Sequence, residues 1–402
     1  MHKFFNIWFN KYWWASLASI NLFFIALTIA HPHIPNFQQK WRLITPFSLH
    51  TENNFAAWWS GITLLLAALL SYQRYTSEAD KTKFAWLILA IVLAGLSLDE
   101  IGSFHERIGH LKGWSGILPF GVLLILLVTY VNIKLFQFNS TNINAKYLCI
   151  SISLLFSVAI QEYIEHTYAW KPWMLGLRVG IEEGTELIAT MFMLLAIIHK
   201  INLPLNLFSL LPSLNALSKL RLITLIGLIA HILGGYIITQ IGDPLFRGNP
   251  MNWYPTSLYF CTALVCLHKV IHASERIEKI RWGVVLTLTL ITSIGIMTNL
   301  FMIIIPRVYE LTNTTLNHQN FMIIYIIQLI SIGMLLTKKI QISKTLVISS
   351  LVCLFALAWQ ELYVENIWIR YSILGAFSYW TFYIFTSKNM LVDKTISNKK
   401  TS

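Results

Sequence analysis

Apolar residues come in long runs along this chain, and polar residues come in short clusters between them. Twelve runs can be marked, near 13–30, 55–72, 84–99, 115–136, 147–164, 178–198, 220–240, 254–268, 283–305, 321–336, 345–363 and 371–386. About 20 apolar residues suffice for an α-helix to cross the hydrocarbon of a bilayer. A membrane barrel would show weaker, alternating segments instead, and lipid tolerates only helices or closed barrels. The pattern therefore predicts an all-α, polytopic membrane helix bundle of about twelve transmembrane helices.

The links between runs are short, so no soluble domain is inserted. The longest, 202–218, alternates Leu with Asn, Ser and Pro, as a segment lying along the interface would. It divides the chain into an N-terminal six-helix half (1–200), a cytoplasmic linker (201–219) and a C-terminal six-helix half (220–402). Pro46 and Asn54 are spaced like Pro244 and Asn252. Gln161-Glu162 matches Gln360-Glu361, and Leu175-Gly176 matches Leu374-Gly375, all at offsets of 198–199 residues. These agreements fit a six-plus-six parallel repeat about an axis along the membrane normal, with chance as the competing explanation. In such a repeat Thr381, Phe382 and Phe385 replace Glu182, Glu183 and Glu186. The first half would then hold the site, and the second would be scaffold or substrate groove.

Composition agrees with the bilayer. The chain is 56% hydrophobic and 12% charged, with a mean hydropathy of +0.60, where soluble domains carry about a quarter charged residues. The net charge of +12 does not signal nucleic acid, because the basic residues sit in short loops and form no patch or arm. Cys149, Cys261, Cys266 and Cys353 lie inside apolar runs and read as small core residues, not as disulfide or metal ligands. Lys3 and Lys11 precede the first run, which is long enough to remain as a signal anchor.

Positive charge sets the orientation. Lys81, Lys83, Arg276, Lys279, Arg281, Lys338, Lys339 and the Lys-rich tail share one side. The positive-inside rule makes that side the cytoplasm, with both termini there and the chain in the inner membrane. Most acids fall at the opposite ends of the runs. Acids contribute little to topology, so their bias is a separate observation, and it points to chemistry on the outer face.

Three clusters carry that chemistry. The third run ends in Asp99, Glu100, His105, Glu106, Arg107 and His110. The fifth ends in Glu162, Glu165 and His166, and the sixth begins with Arg178, Glu182, Glu183 and Glu186. At about 100° per residue, Asp99, Ser103, Glu106 and His110 share one arc if the helix stays regular through Gly102. If Gly102 ends or kinks it, His105 and Glu106 turn inward instead. Sequence leaves both open. Carboxylates and imidazoles converging from neighbouring helices suit a divalent metal such as iron, zinc or manganese. The ligands would be Asp99, His105, His110, Glu165, His166, Glu183 and Glu186. Glu106, Glu162 and Glu182 would serve as catalytic acid or base, and Arg178 would hold a phosphate or carboxylate. The spacing is not the Glu-x-x-His of ferritin-like proteins. Acids at helix ends are also commonly just solvated or capping, most plausibly so for Glu52, Asp243, Glu310 and Glu365. His268 and His272 have ligand spacing but lie among cytoplasmic charges, and His231 reads as a core residue.

With these residues in hand, the chain resembles a group of uncharacterised bacterial multipass membrane proteins. The matching pieces are Phe47-Ser-Leu-His-Thr-Glu52-Asn53, Trp58-Trp59-Ser60, Leu98-Asp99-Glu100 with His105-Glu106, and Glu182-Glu183 with Glu186. They cover about the first 200 residues. The resemblance implies no activity. A likeness to ceramidase-type membrane hydrolases is weaker, because the paired histidines would face the wrong side.

Two functions from different classes follow. One is a metal-dependent membrane enzyme acting on a lipid, isoprenoid-linked or quinone-like substrate at the outer face. The other is a proton- or cation-coupled transporter, against which the acids cluster at one end and not at the midplane. A non-catalytic assembly subunit is the third. Oligomeric state is not legible.

Overall fold

The computed structural model of the chain describes residues 2–30, 33, 47–49, 54–77, 81–105, 114–136, 142–167, 170–171, 174–201, 214–241, 250–273, 275–298 and 367–386. These residues are 94% helical and contain no strand. The helices are α1 His2–Ala30, α2 Phe55–Ser77, α3 Lys83–Gly102, α4 Trp114–Phe136, α5 Ile143–Thr167, α6 Leu175–Ile201, α7 Leu214–Ile241, α8 Trp253–His272, α9 Arg276–Thr298 and α10 Ile367–Phe385. They coincide with the first nine apolar runs and the twelfth. The runs at 321–336 and 345–363 lie outside the described residues. Helix α7 starts at Leu214, inside the stretch expected to be linker.

Five helices are long and apolar enough to cross a membrane: Phe55–Thr76, Lys83–Gly102, Leu118–Phe136, Ile143–Gln161 and Arg276–Ile296. The described residues are thus all-helical, and these five helices mark a membrane protein. Phe120, Leu123 and Leu126 on α4 point outward, as side chains bathed in lipid tails do.

The chain forms two compact units. The first is Met1–Pro212 with Leu245–Pro250, and the second is Ser213–Pro244 with Met251–Ser402. In the first unit α2 packs on α3, α5 on α6, and α1 and α2 both pack on α6. Lipid offers no hydrophobic drive for helix pairing, so close approach and polar contacts carry it. Ser97 donates to the Gly61 carbonyl at 2.7 Å, joining α3 to α2. Ser151 donates to the Ala189 carbonyl at 2.8 Å, joining α5 to α6. Gly180 and Gly184 let α6 lie directly on Ile29 and Ile25 of α1, where an added Cβ would come within 2.5 and 2.7 Å of isoleucine carbons. Buried Asn21 ties three helices together. Its amide nitrogen donates to the Leu187 carbonyl at 3.1 Å, and its oxygen accepts the Trp59 indole N–H at 2.9 Å. Deeper in the unit, Leu89 and Leu93 of α3 pack with Leu64, Leu148 and Leu194.

In the second unit α8 packs on α9, and α7 and α8 pack on α10. Ser293 donates to the Thr256 carbonyl at 3.0 Å. Tyr254 donates to the Thr224 carbonyl at 2.7 Å, and His231 stacks on its ring at 5.2 Å. His231 is buried, as a core histidine. Arg221 donates to the Thr386 hydroxyl at 3.0 Å and also to its carbonyl. A cation there complements the negative end of α10.

Candidate acid–base site

The first unit gathers its titrating side chains where α2 begins, α3 ends and α6 enters. Asn54 caps α2. Its carbonyl oxygen accepts the Ala57 N–H at 2.9 Å, the usual way a side chain satisfies an orphan donor at a helix start. Its amide nitrogen donates to the Ser48 carbonyl, while Leu49 N–H donates to Thr28 at 2.7 Å. Residues 47–49 are therefore strapped to both α1 and α2.

Helix α3 stops at Gly102, and Ser103 makes the turn. Its φ of 51° and ψ of 44° lie in the left-handed region, unusual for a residue with a Cβ. Its N–H bonds the Asp99 carbonyl at 2.6 Å. The turn swings the chain back so that Asp99 receives His105 twice. The His105 backbone N–H donates to Oδ1 at 2.9 Å, and the imidazole meets Oδ2 through Nδ1 at 2.9 Å. A carboxylate only accepts, so Nδ1 carries a proton and Nε2 is the nitrogen left for chemistry. Burial alone would lower the His105 pKa. The Asp99 hydrogen bond and charge, then the charges of Glu186 and Glu100, outweigh it and hold the imidazole well above its usual value. These contacts favour the charged imidazolium over the neutral ring.

Opposite His105 stand Glu100 of α3 and Glu186 of α6, which interact carboxyl to carboxyl. Asn54, Ser60, Glu100, His105, Glu183 and Glu186 line one cavity of about 40 Å³, room for about three waters. Ser60 is 2% exposed. Its hydroxyl lies beside the Glu100 carboxyl.

Of the residues anticipated from sequence, His105, Glu183 and Glu186 meet at this cavity, and Asp99 holds His105 there without lining it. Glu182 lies close enough to act electrostatically on Glu186 but does not line the cavity, and neither does Arg178. Glu162, Glu165 and His166 sit on the last two turns of α5, and their side chains lie outside the described residues. Glu106 and His110 lie outside the described residues altogether. Among the described residues no three His, Cys, Asp or Glu side chains are arranged to hold a metal ion.

Glu100 and Ser60 stand in the motifs read from the sequence but were given no role in the site there. Glu100 continues the buried stripe Trp86, Leu89, Leu93 and Ser97, at the three- and four-residue steps of one helix face. That continuity was visible in the sequence and marks Glu100 as the acid of α3 aimed at its neighbours.

No curated protein and no solved structure matches the chain. Residues 15–200 match a family described as a domain of unknown function (DUF8692), so the part of the chain that builds this cavity is similar to an uncharacterised family.

Proposed function

We propose that the chain is a membrane enzyme whose outer-end cavity carries out acid–base chemistry on a lipid, isoprenoid-linked or quinone-like substrate. The observation that carries this is the Asp99-oriented imidazolium of His105 facing the Glu100–Glu186 carboxyl pair. Efficient acid–base catalysis needs a proton donor and a proton acceptor held apart in character by their surroundings. His105 would donate from Nε2, and the carboxyl pair would accept. Asp99 holds the ring in one tautomer throughout, as a buried carboxylate does for a catalytic histidine. A divalent iron, zinc or manganese ion at this end would draw on Glu183 and Glu186, with Glu106, His110, Glu162, Glu165 or His166 completing its shell while His105 keeps its protons; such an ion would polarise a substrate oxygen.

The setting belongs to the same proposal: twelve spans in the inner membrane, both termini cytoplasmic, as six plus six in parallel. In support, the two units repeat one packing scheme. The α2–α3 hairpin corresponds to α8–α9, and α1 and α2 on α6 correspond to α7 and α8 on α10. Each hairpin is closed by one serine-to-carbonyl bond, Ser97 to Gly61 and Ser293 to Thr256. In each unit a glycine of the last helix accepts a side chain of the first, Gly180 with Ile29 and Gly375 with His231.

The test is comparative lipid, isoprenoid and quinone profiling of cells expressing the native chain or His105→Asn. A species that accumulates with the variant and is consumed by purified native protein supports the proposal. Identical profiles for native chain, variant and empty vector would refute it. The duplicated packing favours one other reading, a proton-coupled transporter. Its signature is proton-driven uptake in proteoliposomes that disappears in Glu186→Gln.

A further inference from the structure

One cation of the second unit is held firmly but is not neutralised. Arg221 stands at the start of the apolar stretch Leu220–Tyr236 of α7, the level at which headgroups meet hydrocarbon. Its Nε–H donates to the Thr386 hydroxyl at 3.0 Å and an Nη2–H to the Thr386 carbonyl. The Thr386 hydroxyl donates in turn to the Phe382 carbonyl at 2.8 Å. The guanidinium also lies over the Tyr383 ring at 4.8 Å. Thr386 and Tyr383 thus fix the group in place. A guanidinium carries five N–H donors and stays charged, and Thr386 takes two of them. The second hydrogen of Nη2 and both on Nη1 remain, the fork that grips two oxygens of a phosphate. Among the described residues no carboxylate pairs with Arg221. The negative end of α10 offsets only about half a charge, so the group stays cationic.

The helix face beside Arg221 says which anion fits. At about 100° per residue, Leu222, Leu225, Ile226, Ile229 and Leu233 fall within about 140° on one side of it, and all five are exposed. On its other side Thr224, Gly227 and His231 pack on Tyr254. Half-buried Arg221 therefore marks the seam between the packed face and the face left to lipid. From Leu222 to Leu233 the apolar stripe runs about 16 Å at the helical rise, about the hydrocarbon depth of one leaflet. Exposed Tyr383 beside the guanidinium is a residue type that anchors at headgroup level. A soluble anion would use the cation but not the stripe, whereas a phospholipid uses both. We infer that Arg221, held by Thr386 and Tyr383, is the binding site of one anionic phospholipid, with its phosphate on the guanidinium fork and an acyl chain along Leu225, Ile229 and Leu233. On the orientation proposed above this is the cytoplasmic leaflet, whose anionic lipids attract such cations. The inference uses residues of the second unit alone and does not depend on turnover at the acid–base cavity.

Full-length protein in nanodiscs of phosphatidylcholine with a rising share of phosphatidylglycerol tests it. Native mass spectrometry should show one phosphatidylglycerol retained in preference to phosphatidylcholine, and the unfolding temperature should climb with that share to a plateau. Arg221→Gln should abolish both effects. Arg221→Lys keeps the charge but not the fork and should weaken retention several-fold, which decides the matter even if Arg221→Gln fails to fold. Lys134→Gln removes an equal charge at the end of α4, where the lysine lies over the Tyr130 ring at 5.9 Å, and should leave retention unchanged. Equal retention of the two lipids would overturn the inference, as would an equal loss in Lys134→Gln, which reduces it to general attraction. Native-like retention in Arg221→Lys would overturn the assignment to the fork. Inorganic phosphate that stabilises the chain in pure phosphatidylcholine discs as well as phosphatidylglycerol does would overturn the lipid in favour of a free anion. Lipid retention without any turnover keeps this inference and removes only the catalytic one.

Discussion

Asp99→Asn isolates the contact on which the site's geometry rests. The native carboxylate accepts the His105 backbone N–H at 2.9 Å and the imidazole Nδ1–H at 2.9 Å. The amide keeps an oxygen for the backbone N–H but offers an NH₂ to the ring. An imidazolium cannot accept it, so the variant loses the charge-assisted bond. Hydrogen bonds to charged groups contribute about 1.5–3 kcal/mol. The two side chains are 33% and 30% exposed, and water screens such a pair. A loss of about 2 kcal/mol is expected while the ring is charged. Once the ring is neutral it can change tautomer and accept from the amide, so the loss shrinks to about 0.5 kcal/mol. The sign follows from the raised pKa of His105. A group held above its unfolded value, near 6.5 for histidine, stabilises fully below that value and loses its contribution as pH rises through the folded pKa. The gap between native and variant should therefore be widest near pH 6 and narrow steadily on the alkaline side. Reversible unfolding in mixed micelles, run in parallel on both proteins, measures it. The control is the same substitution in a His105→Gln background, where the gap should not vary with pH. A gap that stays constant from pH 6 to 10, or widens with pH, would refute the reasoning.

Three further outcomes are expected. Gly184→Ala places a Cβ 2.7 Å from Ile25 Cγ1, so it should destabilise by about 1–3 kcal/mol; Ile25→Ala in the same chain should recover part of that, giving a clear coupling in a double-mutant cycle. Asn21→Ala strands the Leu187 carbonyl and the Trp59 indole N–H, for a cost of about 2 kcal/mol and a shifted Trp59 emission in a single-tryptophan background. Ser97→Ala and Ser293→Ala should each cost about 1 kcal/mol in unfolding assays, and near-equal losses would support the correspondence of the two hairpins.

Helix positions were legible because lipid makes hydrophobic length the overriding constraint. The third, fifth and sixth runs became α3, α5 and α6 within a few residues. That Glu183 and Glu186 reach the end of α3 could be read from the sequence too, since acids at the same end of apolar runs share a depth. Which histidine joins them could not. The choice between a regular helix and a break at Gly102 depends on the left-handed turn at Ser103. Serine adopts that turn only where neighbours hold it, here with the two bonds from His105 to Asp99. Nothing local in Gly102-Ser103-Phe104 announces them. Glu100 was overlooked for the opposite reason. The stripe chosen on α3 was the one richest in titrating residues, whereas the face that packs inward is the one drawn by Trp86, Leu89, Leu93 and Ser97. The Ser60 hydroxyl was invisible as chemistry because serine in an apolar helix usually bonds its own backbone, as Ser71 does to the Ala67 carbonyl.

The docking of α1 onto α6 through Ile25, Ile29, Gly180 and Gly184 has a consequence for biogenesis. Helices α2 and α3 can pair as soon as both have left the translocon, but α1 must wait for a partner made some 150 residues later. Until then Asn21 has neither the Leu187 carbonyl nor a fixed indole beside it, and Glu100 has no Glu186. The half-made chain thus carries a polar first helix and a lone acid with no permanent seat. An insertase that shelters them through those seconds would be needed most by this part of the protein, and the acids could settle together only after the sixth helix arrives.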